Sequence, residues 1–234
     1  MDIEATDDII LLVIKFKIGG CLRFLSHAET LRLFQRACVR AGINLQYSQG
    51  YNPHPRMSLP LPRPVGVESD DELLILKIYS HPYLTIHEFD ESQTTSHESR
   101  INKELSAHLP DGCELISVSI AKTGASFQPC SATYIFSVRE ECLSREFKFR
   151  IEDLLRSDNI IVRRMTDKKK SRFRNIDVRD FIKSIELNNT DINIQCLITS
   201  TGSIRIQEVL ELLELDEEKL TAPIKRECVQ WQDV

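Results

Sequence analysis

Ser48–Glu68 reads SQGYNPHPRMSLPLPRPVGVE and carries five of the nine prolines in the chain, at Pro53, Pro55, Pro60, Pro62 and Pro64. Proline fixes φ and removes the backbone N–H, so this stretch is neither a helix nor an ordinary central strand. Each residue ahead of a proline is pushed toward extended geometry as well. A stiff, extended segment running over the surface is expected. Its side chains include Gln49, Tyr51, Asn52, His54, Arg56 and Ser58. A stiff backbone presenting aromatic, amide, imidazole and guanidinium groups suits recognition, because little freedom is lost on binding. A rigid crossover packed on the domain edge is the plainer reading of the same residues, and both stand at this point.

On the N-terminal side of this segment, Ile9–Ile18 (IILLVIKFKI) has the alternation of a strand and ends at Gly19-Gly20. Ser26-His27-Ala28-Glu29 has the form of a capping box and opens a helix that runs to about Ala41, with Gly42 closing it. His27, Leu31, Phe34, Cys38 and Ala41 share one face, and Arg32, Arg36 and Arg40 recur on the opposite one. Asn44–Ser48 reads as a short strand. On the C-terminal side, Glu72–Tyr79 is a strand, His81–Ser99 a polar loop, Ile101–Leu109 a short helix and Cys113–Lys122 a strand. The order is β-α-β-β-α-β, the ferredoxin-like arrangement.

The pattern restarts after Thr123–Pro129. Strands are expected at Ala132–Arg139, Asn159–Arg164, Asp191–Thr199 and Glu227–Trp231, and helices over Leu143–Leu155 and Ile204–Leu215. Ile176–Leu187 fits either a helical turn or a strand. The expected fold is therefore α+β: two tandem ferredoxin-like (βαββαβ) units, the second degenerate. The first would occupy residues 1–122, with a linker at 123–130 and the second unit at 131–234.

The chain has 234 residues, 41% hydrophobic and 28% charged, as in ordinary globular proteins. Its longest apolar run, Ile9–Ile14, falls well short of the roughly 20 residues a membrane span needs. The acidic start MDIEATDD lacks the features of a signal peptide, so a cytoplasmic location is expected. The seven cysteines form no CxxC pair, which favours reduced thiols over a metal centre.

Net charge is −5, yet Arg163–Arg174 (RRMTDKKKSRFR) holds seven basic residues and one acid. Clustered Lys and Arg bind phosphates by releasing counterions, and Phe173 among them is placed to stack on a base. A solvated hairpin tip is the plainer alternative. The Arg32, Arg36, Arg40 stripe is expected to be a solvated helix face, since like charges at this spacing repel. His27, at the first position of a capped helix, sits where a neutral imidazole is favoured, and it is the one candidate for general-base catalysis. A histidine tucked under the apolar face is the expected alternative. No catalytic triad order, HExxH, phosphate-binding glycine loop or GxGxxG accompanies it.

Phe24–Ser69, FLSHAETLRLFQRACVRAGINLQYSQGYNPHPRMSLPLPRPVGVES, resembles the signature of the radical-SAM-linked protein family, most specifically in SQGYNPHPRMS. These domains are encoded beside or fused to cobalamin-binding-type radical SAM proteins. The basic stretch, Asp177-Val178-Arg179 and Lys225-Arg226-Glu227 are also similar to family features. The resemblance implies a radical SAM protein as partner, which would carry the iron–sulfur cluster and S-adenosylmethionine. This chain has no three-cysteine motif, so no cofactor of its own is expected. Genes of the family often neighbour RNA-processing and ribosomal-protein genes, which implies an RNA-related role. At fold level the tandem arrangement is similar to that of repeat-associated RNA-processing proteins.

The resulting expectation is an RNA-binding accessory protein for tRNA or rRNA modification. Tyr51, Asn52, His54 and Arg56 would read the RNA, and Lys168, Lys169, Lys170, Arg172 and Arg174 would hold its phosphates. Two alternatives remain beside it. One is a metal-independent ribonuclease with His27 as base and Arg56 opposite the phosphorane charge; the other is a protein-only adaptor for the radical SAM partner.

Overall fold

A computed structural model describes residues 9–79, 91–122, 124–167 and 172–233. The chain is mixed α/β, and its strand pairings are mostly antiparallel. It divides into two compact units, one built from residues up to Gln128 together with Asp233 and one from Pro129–Gln232.

In the first unit, β1 (Ile9–Ile18) lies between β3 (Glu68–Tyr79) and β4 (Cys113–Ala121), antiparallel to both. A two-residue strand, β2 (Met57–Ser58), pairs with β3 on its other edge, so the order is β4-β1-β3-β2. Two helices, α1 (His27–Arg40) and α2 (Glu91–Ser106), connect these strands. The capping box is formed: Ser26 Oγ accepts from the Glu29 amide at 3.3 Å, and the Ser26 amide donates to Glu29 Oε2 at 2.8 Å. The hydroxyl and amide of Ser26 hold the Glu29 carboxyl below its usual pKa, since both bonds favour the anion. At the other end Gly42 takes φ +68°, a left-handed conformation that favours glycine.

The apolar face of α1 buries Phe34, Ala37 and Cys38 against β1 and β3. The Phe34 ring meets Phe16 edge-on, with centroids 4.6 Å apart. Full burial of such a side chain stabilises the fold by roughly 1.5–3 kcal/mol. Leu12, Ile14, Leu74, Leu76 and Leu105 complete this core.

Two expectations for this half are corrected. The second strand is Met57–Ser58, inside the proline-rich segment, and not Asn44–Ser48, where only isolated bridges form at Leu45 and Tyr47. Met57 and Ser58 are not prolines, so their backbone can still pair at the sheet edge, where proline neighbours are tolerated. The second helix begins at Glu91, within the stretch read as a polar loop. Its first half escapes periodicity analysis because the apolar anchors, Ile101 and Leu105, come only in its second half.

In the second unit, β5 (Phe127–Ser137) pairs antiparallel with β9 (Asp191–Leu197), which pairs antiparallel with β8 (Ile182–Asn188). With β10 (Lys225–Asp233) beside β5 the order is β10-β5-β9-β8. Two helices, α3 (Arg145–Arg156) and α4 (Ile206–Leu213), supply Phe147, Ile151, Val209 and Leu213 to a core with Tyr134, Phe136, Ile192 and Ile194.

Between α3 and β8 a separate two-stranded hairpin is inserted, β6 (Ile161–Asp167) and β7 (Arg172–Asp177). The segment expected as a strand of the main sheet, Asn159–Arg164, therefore belongs to this hairpin. The undecided stretch Ile176–Leu187 contains the end of β7, a 3-10 turn at Arg179–Phe181 and most of β8. Asp177-Val178-Arg179 closes this region. Asp177 Oδ1 accepts from the amides of Ile160 at 2.9 Å and Arg179 at 3.0 Å. The Arg179 guanidinium donates to the carbonyls of Leu155, Ser157 and Ile182 at 2.8–3.0 Å. Two of those carbonyls lie at the end of α3, where a helix lacks internal donors. The Asp177-Val178-Arg179 feature is a structural staple.

Candidate nucleic-acid interface

The backbone of Gln46–Arg56 folds into a narrow, strand-like loop. The Gln46 amide donates to the Lys77 carbonyl at 2.8 Å, and the Arg56 amide to the Gln46 carbonyl at 2.8 Å. Nearer the tip, the Ser48 amide donates to the His54 carbonyl at 2.8 Å, and the His54 amide to Ser48 Oγ at 3.0 Å. These bonds leave Gln49–Pro53 as the projecting end, with every residue exposed and Gly50 at φ +133°. Tyr51 keeps its whole side chain in solvent, and Asn52, His54 and Arg56 are exposed beside it. None of these four side chains is committed to a hydrogen bond or ion pair among the described residues. The four reading residues expected from the sequence thus share one rigid loop.

The base of the segment is held by a residue that sequence reading missed. Arg63, between Pro62 and Pro64, is half-buried and aims its guanidinium at a ring of carbonyls. Its Nη1 donates to Arg23 at 2.6 Å, to Pro64 at 3.3 Å and to Val67; its Nη2 donates to Leu22 at 3.3 Å and Leu25 at 3.2 Å. Prolines remove amide donors, so this region has carbonyls to spare. The N–H groups on the two terminal nitrogens of one guanidinium make up the shortfall. The available signal was a lone arginine inside a donor-poor run.

The hairpin of the second unit carries the described part of the basic stretch. Lys168, Lys169 and Lys170 lie outside the described residues, and Arg172 opens β7. Cross-strand partners share a face, so Arg163 and Asn175 lie on the same side as Met165 and Phe173. That side is exposed: Ile161, Met165 and Phe173 all show large apolar surface to solvent. The Arg163 guanidinium sits 4.3 Å from the centre of the Phe173 ring. On the other side Val162 is buried, Arg174 is exposed and Arg164 is tied down. Arg164 makes a two-pronged pair with Glu208 of α4, at 2.7 Å from Nε and 2.6 Å from Nη2, and Nη2 also donates to the Ser203 carbonyl at 3.0 Å. Of the basic residues counted in the sequence, Arg164 is therefore a structural anchor.

His27 is exposed, which corrects the expectation that it tucks under the apolar face of α1. It borders a cavity of about 10 Å³ with Thr30, Arg63 and Glu72. That is room for one water and not for a nucleotide.

A cleft of about 670 Å³ runs along α1 in the first unit. Arg32, Arg36 and Arg40 line one wall, Ala107–Pro110 after α2 the other, and Leu22, Leu25, Leu33 and Ala37 the floor. All three arginines are exposed, and none has an ion pair or hydrogen bond among the described residues. Like charges at this spacing cost a helix roughly 0.2–0.5 kcal/mol per pair.

The thiols divide by burial. Cys38, Cys113 and Cys196 are buried, and desolvation pushes each up to about 12, while Cys21 and Cys228 are exposed. Among the described residues no three His, Cys, Asp or Glu side chains gather as metal ligands, and no helix is long and apolar enough to cross a membrane.

No curated protein matches the chain. One family profile, described as "Uncharacterized protein conserved in bacteria (DUF2344)", matches residues 12–209, a span that takes in the proline-rich loop, the arginine cleft and the basic hairpin. The chain belongs to that family.

Proposed function

We propose that the protein is an RNA-binding accessory factor that presents tRNA or rRNA to a radical SAM modification enzyme. The partner would carry the iron–sulfur cluster and S-adenosylmethionine. The observation that carries this reading is the outer side of the β6–β7 hairpin. An exposed aromatic ring, Phe173, with a guanidinium above it, adjoins a run of basic residues. A stacking surface joined to clustered cations is the chemistry that holds single-stranded nucleic acid. The rigid loop bearing Tyr51, Asn52, His54 and Arg56 supports the reading as a second element that offers stacking and hydrogen-bonding groups.

We infer a ferredoxin-like plan for both units. The first unit's order β4-β1-β3-β2 supports it, as does the order β10-β5-β9-β8 with the basic hairpin inserted ahead of β8. This plan is common to many functions and carries none by itself.

The test is fluorescence anisotropy with bulk bacterial tRNA at several salt concentrations. Binding is expected to weaken steeply with salt. A Tyr51→Ala or Phe173→Ala protein is expected to bind about tenfold more weakly, the scale of one lost stacking contact. Replacing Lys168, Lys169 and Lys170 by glutamine is expected to flatten the salt dependence. Salt-insensitive binding, or retention of full affinity by all three variants, would overturn the proposal.

A further inference from the structure

We propose that the cleft along α1 is a separate RNA site, in which Arg32, Arg36 and Arg40 hold successive phosphates of a single strand. The inference rests on the RNA reading for its ligand class and on its own residues for everything else. Four residues of helix rise about 6 Å, so the three arginines form a straight row about 12 Å long. A row of this length suits an extended chain of phosphates better than one compact anion. Arginine is also the side chain best matched to phosphate, through its planar fork of donors.

Three features separate this row from an ordinary charged helix face. The arginines line a cleft of about 670 Å³ instead of a convex surface. None makes an ion pair or hydrogen bond among the described residues. The one acid among the lining residues, Glu29, stands at the Arg32 end and interacts with that arginine, which leaves Arg36 and Arg40 without an acid among the residues that line the cleft. His108 on the facing wall adds a further polar group toward the same space. The leucine and alanine floor gives the sugar and base edges an apolar surface to rest on.

The experiment uses the full chain and a fluorescein-labelled single-stranded RNA of about twelve nucleotides, sized to cover the row several times over. Each neutralised phosphate contributes about 0.7 to the slope of log affinity against log salt for a single strand. Replacing all three arginines by glutamine is expected to flatten that slope by about 2 and to weaken binding about thirtyfold at moderate salt. The corresponding triple lysine variant, which keeps the charge, is expected to stay within about threefold of the parent. The glutamine variant is expected to melt no lower than the parent, because it removes repulsion at a solvent-exposed face.

If the parent binds RNA and the glutamine variant binds equally well with the same slope, the cleft is not an RNA site, and the hairpin reading is untouched. If the parent binds no RNA, both readings fall. If oligoglutamate binds in an arginine-dependent way and more tightly than RNA, the cleft is a protein-docking surface and the inference is overturned. A glutamine variant that melts lower would place the arginines in the fold and overturn it as well.

Discussion

An Arg63→Ala protein is expected to lose about 3–5 kcal/mol of unfolding free energy, a large share of what a domain of this size has. The guanidinium donates to carbonyls of Leu22, Arg23, Leu25, Pro64 and Val67, which belong to two separate segments of the chain. Hydrogen bonds from a charged donor contribute about 1.5–3 kcal/mol each, and carbonyls stranded without a donor add a penalty of their own. The bonds share one side chain and part of it reaches solvent, so they do not sum to their full value. Alanine leaves the turn before α1 and the end of the proline-rich segment joined by the Gly66 amide on the Arg23 carbonyl at 2.9 Å and the Gly20 amide on Glu68 Oε1 at 2.9 Å. Lysine keeps the charge but lacks the fork, so Arg63→Lys is expected to recover less than half of the loss. Urea unfolding measures this directly: the midpoint should fall while the slope with denaturant stays the same. A shift below about 1 kcal/mol would show that water replaces the guanidinium at little cost.

The Arg164–Glu208 pair is the second place where one atom set holds much of a substructure. Both side chains are nearly buried, and the pair joins the inserted hairpin to the first turn of α4. Glu208 also accepts from the Arg205 amide at 2.9 Å. Arg164→Ala is expected to cost about 3–5 kcal/mol, because it leaves a buried carboxylate without its counter-charge. Replacing both residues by apolar ones of similar size is expected to recover most of that, except the share due to the lost bond to Arg205.

The pH dependence has a definite sign. Burial pushes the Glu208 carboxyl up, but the hydrogen bonds from Arg164 and Arg205 outweigh it and hold the group below its usual value of 4.5. Its folded-state pKa is depressed, so the stabilisation is present above about pH 4.5 and is lost as pH falls through the lower folded value. The parent should therefore lose its advantage over Arg164→Ala below that point. Thermal melts of the two proteins between about pH 3 and 7 check this, and a gap that stays constant over that range would exclude the mechanism.

Much of the first unit was legible because its signals are local and periodic. The alternation of Ile9–Ile18, the Ser26–Glu29 box and the apolar stripe through Phe34 and Cys38 each name an element by themselves. A hairpin tip at Arg163–Arg174 was one legible reading, but that its first strand stands apart from the main sheet was not. Asn159–Arg164 reads as a strand, and only the pairing partner shows that it belongs elsewhere. Glu91–Ser99 was missed because that half of α2 offers no apolar anchor to set a helical period.

At the candidate interface, the exposure of Tyr51, Asn52, His54 and Arg56 followed from the prolines around them. The arginine stripe was read as a solvated face because a helix taken alone has no facing wall. Ala107–Pro110 supplies that wall from far along the chain. Arg164 carried no sequence signal of its role, and Arg63 only its place in a donor-poor run. A single polar side chain has no period, and its partners are backbone carbonyls in one case and a distant glutamate in the other.

The distribution of thiols gives each unit its own clock. Cys21 and Cys228 stand open to an alkylating reagent, whereas Cys38 and Cys113 are shut inside the first unit and Cys196 inside the second. Intact-mass spectra collected over time would separate the rapid addition of surface labels from later steps that await breathing of one half or the other. The native chain thus reports, without any engineered probe, whether its two halves come apart together or in turn.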